Sequence, residues 1–218
     1  MKSLSLATLR RYDVGRARPG SASAARYPAR QDMDGVRIPT LAELLAALRA
    51  ASGRRRWIYV EIKTDPQDRA NSPAPASMVD AVFDDLEGAD YLAHAKIIAF
   101  DWQVLRLTRA RNARIATAHL TIPPALLGGI KLDRDGRSPW LDGSDPQDHG
   151  GSPLAAIRSH GGEEWSPHFS EVATDRMDEA RALGLRVGPW GLAKGEDIAR
   201  MAALGLYSAT VSGPDWTA

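Results

Sequence analysis

Apolar and polar positions along the chain change period several times. Leu41, Leu44, Leu45 and Leu48 recur at helical spacing, behind a Thr40/Glu43 pair that reads as a capping box. Gly53 is placed to end that helix. Trp57 to Thr64 then changes to strand character, and Glu61 and Lys63 sit two apart inside an otherwise apolar run. Residues i and i+2 of a strand share a face, so both charges point one way while Val60 and Ile62 point the other. A barrel strand at an active-site mouth needs that arrangement, and so does the wet face of an antiparallel strand.

Beyond this run, helix and strand patterns alternate. The periodicity predicts helices over residues 76–86, 102–110, 152–160, 174–183 and 195–204. It predicts strands over 96–100, 114–120, 164–169, 185–190 and about 207–212. Asp101 is a candidate N-cap. Ala182-Leu183-Gly184-Leu185 and Ala203-Leu204-Gly205-Leu206 each join a helix to a strand through a glycine suited to the left-handed C′ position. Repeated helix–glycine–strand units argue for parallel β/α architecture. Residues 1–37 are rich in Arg, Ala, Gly and Pro and predict one short helix near 6–12, then a loop. Residues 121–153 read as a long insertion within a single domain spanning 1–218. The six expected strands cannot close an eight-stranded barrel.

Composition narrows the functional classes. The 218 residues are 44% hydrophobic and 25% charged, with a net charge of +1. That balance offers no electrostatic reason to expect nucleic acid or an anionic membrane as partner. Arg54-Arg55-Arg56 is too short a cluster to change this, and reads as a solvated turn. With no cysteine, disulfides, thiolate metal sites and cysteine nucleophiles are excluded. No apolar run approaches the roughly 20 residues of a bilayer span. The first residues lack a continuous signal-peptide core, so the chain as written is expected in the cytoplasm, and a longer form could be exported.

The order of motifs carries a resemblance. Ile38-Pro39-Thr40-Leu41 precedes the capped helix, and Glu61-Ile62-Lys63, Ile98-Ala99-Phe100-Asp101, Trp165-Ser166-Pro167 and Gly184-Leu185-Arg186-Val187-Gly188-Pro189-Trp190 follow in turn. Together they resemble the glycerophosphodiester phosphodiesterase family over nearly the whole chain, the stretch from Ser138 to Gly151 included. The resemblance implies a TIM (β/α)8 barrel that cleaves glycerophosphodiesters to sn-glycerol 3-phosphate and an alcohol with a divalent cation, Mg or Ca. By position it makes Glu61 a metal carboxylate, Lys63 a catalytic cation near the substrate phosphate, and Phe100 and Trp190 pocket-lining residues. Trp190 on its residue type alone suits either core or pocket wall.

The chain also departs from the pattern. The family's first two strands carry a His-Arg-Gly, a Glu-x-Asp and a His-Asp, and none of these occurs here. Val211-Ser212-Gly213-Pro214 stands where the family has Thr-Asp-x-Pro. The expectation is an incomplete α/β barrel of about six parallel strands, N-terminally truncated, inactive alone and unable to hold the cation tightly. A half-barrel that self-associates through open sheet edges is the competing reading. A third, an open-sheet phosphate binder, needs a glycine-rich loop after its first strand, where Thr64-Asp65-Pro66 stands. Of the histidines, His119 and His168 are best placed for chemistry, and a hydrogen-bonded structural role is the commoner outcome. Asp133-Arg134-Asp135-Gly136 reads as a turn, since it lacks the remaining ligands of a calcium loop.

Overall fold

The computed structural model describes residues 3–26, 30–51, 56–123, 125–126 and 137–212. The chain divides into two compact units, Met1–Arg55 and Arg56–Ala218.

The first unit holds helices α1 (Leu6–Leu9), α2 (Ala22–Arg26) and α3 (Leu41–Ala51). The short α2 had no apolar period to announce it. The capping box on α3 is present: Glu43 N donates to Thr40 Oγ1 at 3.2 Å, and Thr40 N donates to Glu43 Oε2 at 2.8 Å. The leucine stripe is only partly buried. Leu45 is fully covered, whereas Leu44 remains 44% exposed. At about 100° per residue, Leu41, Leu45 and Leu48 cluster within some 60°, and Leu44 stands about 40° outside that arc. Gly53 and the first two arginines of the 54–56 cluster lie outside the described residues.

The second unit alternates strictly. Its elements are β1 (Ile58–Glu61), α4 (Pro75–Gly88), β2 (Ala95–Ala99), α5 (Trp102–Arg111), β3 (Ala116–Thr121), α6 (Pro153–Ser159), β4 (Glu164–Pro167), α7 (Thr174–Ala182), β5 (Arg186–Val187) and α8 (Gly195–Ala202). The five strands form one parallel sheet in chain order. This settles the reading of Glu61 and Lys63: the strand is parallel, not the wet side of an antiparallel pair. Gly184 ends α7 at a φ of 67°, Gly184 N bonds Arg181 O at 3.1 Å, and Leu185 N bonds Ala180 O at 2.8 Å. These two bonds are the paired closure of a helix by a left-handed residue.

The sixth expected strand is not a strand. Residues 207–212 run beside β5, with Tyr207 N bonded to Val187 O, Thr210 N to Pro189 O and Ser212 N to Leu192 O. Only Leu192 and Val211 form a bridge. β5, expected over 185–190, is shortened to two residues: Gly188 N and Trp190 N still donate to Trp165 O and Pro167 O, but Pro167 of β4 has no N–H to return to Gly188 O, which takes the Ser166 hydroxyl instead. On the side of residues 207–212, Pro189 likewise has no N–H to donate. The insertion is not wholly irregular either. Short 3-10 turns occupy Pro139–Leu141 and Pro146–His149. Residues 133–136 lie outside the described residues.

Register and alternation assign the two faces of the sheet. Tyr59 pairs with Lys96, Lys96 with Ala116, Leu120 with Ser166, and Glu164 with Arg186. One face therefore carries Tyr59, Glu61, Lys96, Ile98, Ala116, Ala118, Glu164, Ser166 and Arg186. That face is concave. Lys96 of β2 reaches Glu164 across β3, and Phe100 after β2 touches Trp190 after β5, with a ring separation of 5.7 Å. The opposite face packs on helices, where Trp102, Val104 and Leu105 of α5 are fully buried.

Candidate functional site

The concave face has two ends of different chemistry. At the strand N-termini lies a buried ion pair. Lys96 Nζ donates to Glu164 Oε1 at 2.8 Å and Oε2 at 2.6 Å, and to Tyr59 Oη at 3.1 Å. Lys96 is 3% exposed and Glu164 1%. The rings of Tyr59 and Tyr207 lie 4.4 and 5.1 Å from the ammonium. Arg186 approaches Glu164 at 3.8 Å from β5. No motif pointed to this cluster. The available signal was one charge of each sign near the start of two apolar strands.

At the C-terminal ends stand the residues singled out from the sequence. Glu61 closes β1 level with Ile98 of β2. Lys63 lies two residues further on the same side and donates to Glu61 Oε1. Its side chain is 75% exposed against 30% for Glu61, so this is a solvated pair of small net worth. Across the mouth, Phe100 meets Trp190 edge to face at an interplanar angle of 88°. The His168 ring stands 4.9 Å from Trp190 and 4.6 Å from Phe169. Trp190 and Phe100 are both half-buried. Trp190 has one covered side, and it is tied down by Nε1 donating to Thr121 O at 3.2 Å. Gly191 is needed beside it: a Cβ there would come within 2.9 Å of the His168 ring.

Supporting hydrogen bonds hold this wall. Trp165 Nε1 donates to Thr121 Oγ1 at 2.8 Å, and Thr121 donates to Glu171 Oε2 at 2.9 Å. Glu171 also accepts from His168 N at 3.1 Å. Burial raises the Glu171 carboxyl above the usual range against these bonds, and burial lowers the His168 imidazole. The loop after β1 is fixed from beneath. Asp101, with its carboxylate fully buried, accepts from Thr64 Oγ1 at 2.7 Å, Arg69 Nη1 at 2.8 Å and Gln103 N at 3.2 Å.

His119 is not at the mouth. It lies on the helix side of β3, edge to face under Trp102 at 4.9 Å, with Nε2 3.1 Å from His160 Nδ1. Burial holds its imidazole well below the ordinary value. Among the described residues no group of three His, Asp or Glu side chains is placed to hold a metal ion. Glu61, the one carboxylate with that expectation attached, faces Lys63 instead. The described residues therefore do not by themselves fit a hard cation, which takes six or more oxygens. No helix among them is long and apolar enough to cross a membrane.

Comparison with known proteins adds the following. The sequence model of the Glycerophosphoryl diester phosphodiesterase family matches residues 1–215. A Silicibacter pomeroyi protein, named as a candidate glycerophosphoryl diester phosphodiesterase, is similar in structure with a TM-score of 0.79 and 28% identity, over 97% of this chain and 65% of its own. This chain thus spans 65% of that protein's length. A candidate glycerophosphodiester phosphodiesterase of Galdieria sulphuraria follows, with a TM-score of 0.61 at 15% identity, over 93% of this chain and 71% of its own. An Oleispira antarctica phosphodiesterase, solved with its product sn-glycerol 3-phosphate, shares the fold with a TM-score of 0.55 at 13% identity, over 81% of this chain and 58% of its own. No curated protein sequence matches.

Proposed function

The chain belongs to the glycerophosphoryl diester phosphodiesterase family, and from this we propose that its strand-end mouth receives a glycerophosphodiester, the substrate class whose hydrolysis gives sn-glycerol 3-phosphate and an alcohol. The observation that carries the reading is one juxtaposition: the exposed Lys63 ammonium beside Glu61 at the strand ends of a concave face walled by Phe100 and Trp190. A lysine there offsets charge on the non-bridging phosphoryl oxygens. The paired rings give the carbon skeleton an apolar wall. The product-bound Oleispira phosphodiesterase, alike in fold, supports the same ligand class.

Hydrolysis further requires that water lose a proton as it attacks phosphorus and that the departing alkoxide gain one. In the family a divalent cation, Mg or Ca, assists by polarising the phosphoryl group. Glu61 alone does not hold such an ion. His168 is the imidazole nearest the aromatic wall, and its Nδ1 is engaged by Ser170 at 2.7 Å. We infer that these groups bind substrate and that this polypeptide alone turns it over slowly.

Incubation with glycerophosphocholine and Mg²⁺ or Ca²⁺ is expected to release glycerol 3-phosphate no faster than buffer. Robust release, abolished by Glu61→Ala, would overturn the inferred inactivity. Binding tests the mouth itself. Calorimetry with sn-glycerol 3-phosphate in EDTA should show about tenfold weaker binding for Lys63→Ala, the scale of one charge-assisted hydrogen bond. Glu61→Gln should bind more tightly than wild type, because it frees the ammonium and removes a like charge from beside the phosphate. Equal affinity in all three proteins would place the phosphate elsewhere.

One observation favours a second reading, association with another chain. Strand β1 is an edge of the sheet, and beside it Trp57 is 59% and Tyr59 41% exposed. An edge of that kind is open to strand addition. A solution mass twice that of the chain would support it; a monomer that melts cooperatively would count against it.

A further inference from the structure

Alternation carries one polar ring to the mouth that neither the phosphate nor the apolar wall accounts for. Glu164 and Ser166 of β4 point to the concave face, as Arg186 of β5 does, and His168 and Trp190 continue those two rows. A bridge between His168 and Trp190 prolongs the parallel ladder past the ends of the strands. Their rings stand 4.9 Å apart at an interplanar angle of 77°. His168 therefore lies at the strand ends with Trp190 and, through Trp190, beside Phe100.

The partners of this ring select its tautomer. Nδ1 accepts from Ser170 N at 3.3 Å and lies 2.7 Å from Ser170 Oγ. A backbone N–H only donates, so Nδ1 is bare and the Ser170 hydroxyl donates to it as well. The neutral ring then carries its hydrogen on Nε2. Burial holds the imidazole below its ordinary 6.5, so the ring is neutral at pH 7.5. Glu171 fixes the backbone beneath by accepting from His168 N at 3.1 Å.

Nε2 is the open end. Among the described residues it meets no hydrogen-bond partner, and it is not buried. Its clearance comes from Gly191, where a Cβ would stand 2.9 Å from Cδ2 of the ring and 3.0 Å from Nε2. A donor fixed in direction beside an apolar surface suits an oxygen carried by the molecule that packs there. In a glycerophosphate the phosphoryl oxygens go to Lys63, and the carbon skeleton brings hydroxyls to the aromatic side.

We propose that His168 reads the glycerol hydroxyls: its Nε2–H donates to a hydroxyl oxygen of the skeleton lying on Trp190, and so separates a glycerophosphate from an alkyl phosphate. The inference rests on the proposed phosphate site at Lys63. A site built to hydrogen-bond a hydroxyl rejects the analogue without it, because the analogue leaves the donor unpaired.

Calorimetry in EDTA at pH 7.5 tests this with two ligands, sn-glycerol 3-phosphate and propyl phosphate, which share the phosphate and the three-carbon chain. Wild type should prefer the first by about tenfold, the scale of one hydrogen bond. His168→Asn can still accept from Ser170 N but cannot reach the Nε2 position. It should lose the preference and bind propyl phosphate as wild type does. His168→Gln, whose amide nitrogen can occupy that position, should keep most of the preference. Lys63→Ala should weaken both ligands alike.

A His168→Asn protein that keeps the preference overturns the proposal, as does equal weakening of both ligands or equal loss in the Asn and Gln variants. If Lys63→Ala still weakens both, the phosphate site stands without the histidine. If Lys63→Ala weakens neither, or wild type binds neither, the phosphate site fails and this inference with it. Should the variants not fold, the ¹⁵N resonance of His168 Nε2 in wild type decides: sn-glycerol 3-phosphate must shift it and propyl phosphate must not.

Discussion

Lys96→Met is expected to lower the folding stability by roughly 3–5 kcal/mol, the cost of leaving a buried charge without its partner. The carboxylate left behind, Glu164, is 1% exposed and receives both short bonds from the lysine. Arg186 gives partial relief, since it approaches the same carboxylate at 3.8 Å, so the lower part of the range is the better expectation. Glu164→Leu should be comparably damaging, because it strands the ammonium between Tyr59 and Tyr207. The double variant removes both charges and should recover to within about 1–2 kcal/mol of wild type, since well-packed apolar replacements of a buried pair are often neutral. Urea denaturation of the four proteins closes a double-mutant cycle with a coupling of several kcal/mol. Two single losses that simply added in the double variant would show that the pair does not act as a unit.

That ion pair also marks how far the sequence could be read. Local rules were legible wherever one segment carried the whole signal. Thr40 and Glu43 are three apart and cap their own helix. Gly184 ends α7 as its neighbours demand, and Glu61 and Lys63 share a face because alternation allows nothing else. What failed was any property set by register between strands. Lys96 and Glu164 lie 68 residues apart and meet only because Ala116 and Ala118 leave room across β3. The same register decided which way β3 faces. Thr117, His119 and Thr121, its polar set, are buried on the helix side, and the concave side receives Ala116, Ala118 and Leu120. A histidine near a strand end was therefore a fair candidate for the mouth and became a packing partner of Trp102. The sixth strand failed for a backbone reason, because Pro189 cannot donate to a ladder.

Asp101 joins the legible and the illegible in one side chain, and Asp101→Ala should cost about 3 kcal/mol. The N-cap was readable from its place before α5, and losing it costs about 1 kcal/mol. The larger part is tertiary. The carboxylate also accepts from Thr64 and Arg69, 37 and 32 residues away, so alanine leaves a buried hydroxyl and a half-exposed guanidinium unpaired. Removing such partners costs about 1–3 kcal/mol more. Asp101→Asn retains an acceptor for Gln103 N and one further bond but loses the ionic contact with Arg69, so about half the loss is expected. The two substitutions should also differ in where they act. Alanine frees both α5 and the loop at 65–72, so hydrogen exchange should rise in both. Asparagine keeps the cap and should raise exchange in the loop alone. Because that loop follows Lys63 directly, the alanine variant should also bind sn-glycerol 3-phosphate more weakly, although no atom of Asp101 faces the mouth. A variant that exchanged faster only within α5, at full ligand affinity, would confine Asp101 to its role as a helix cap.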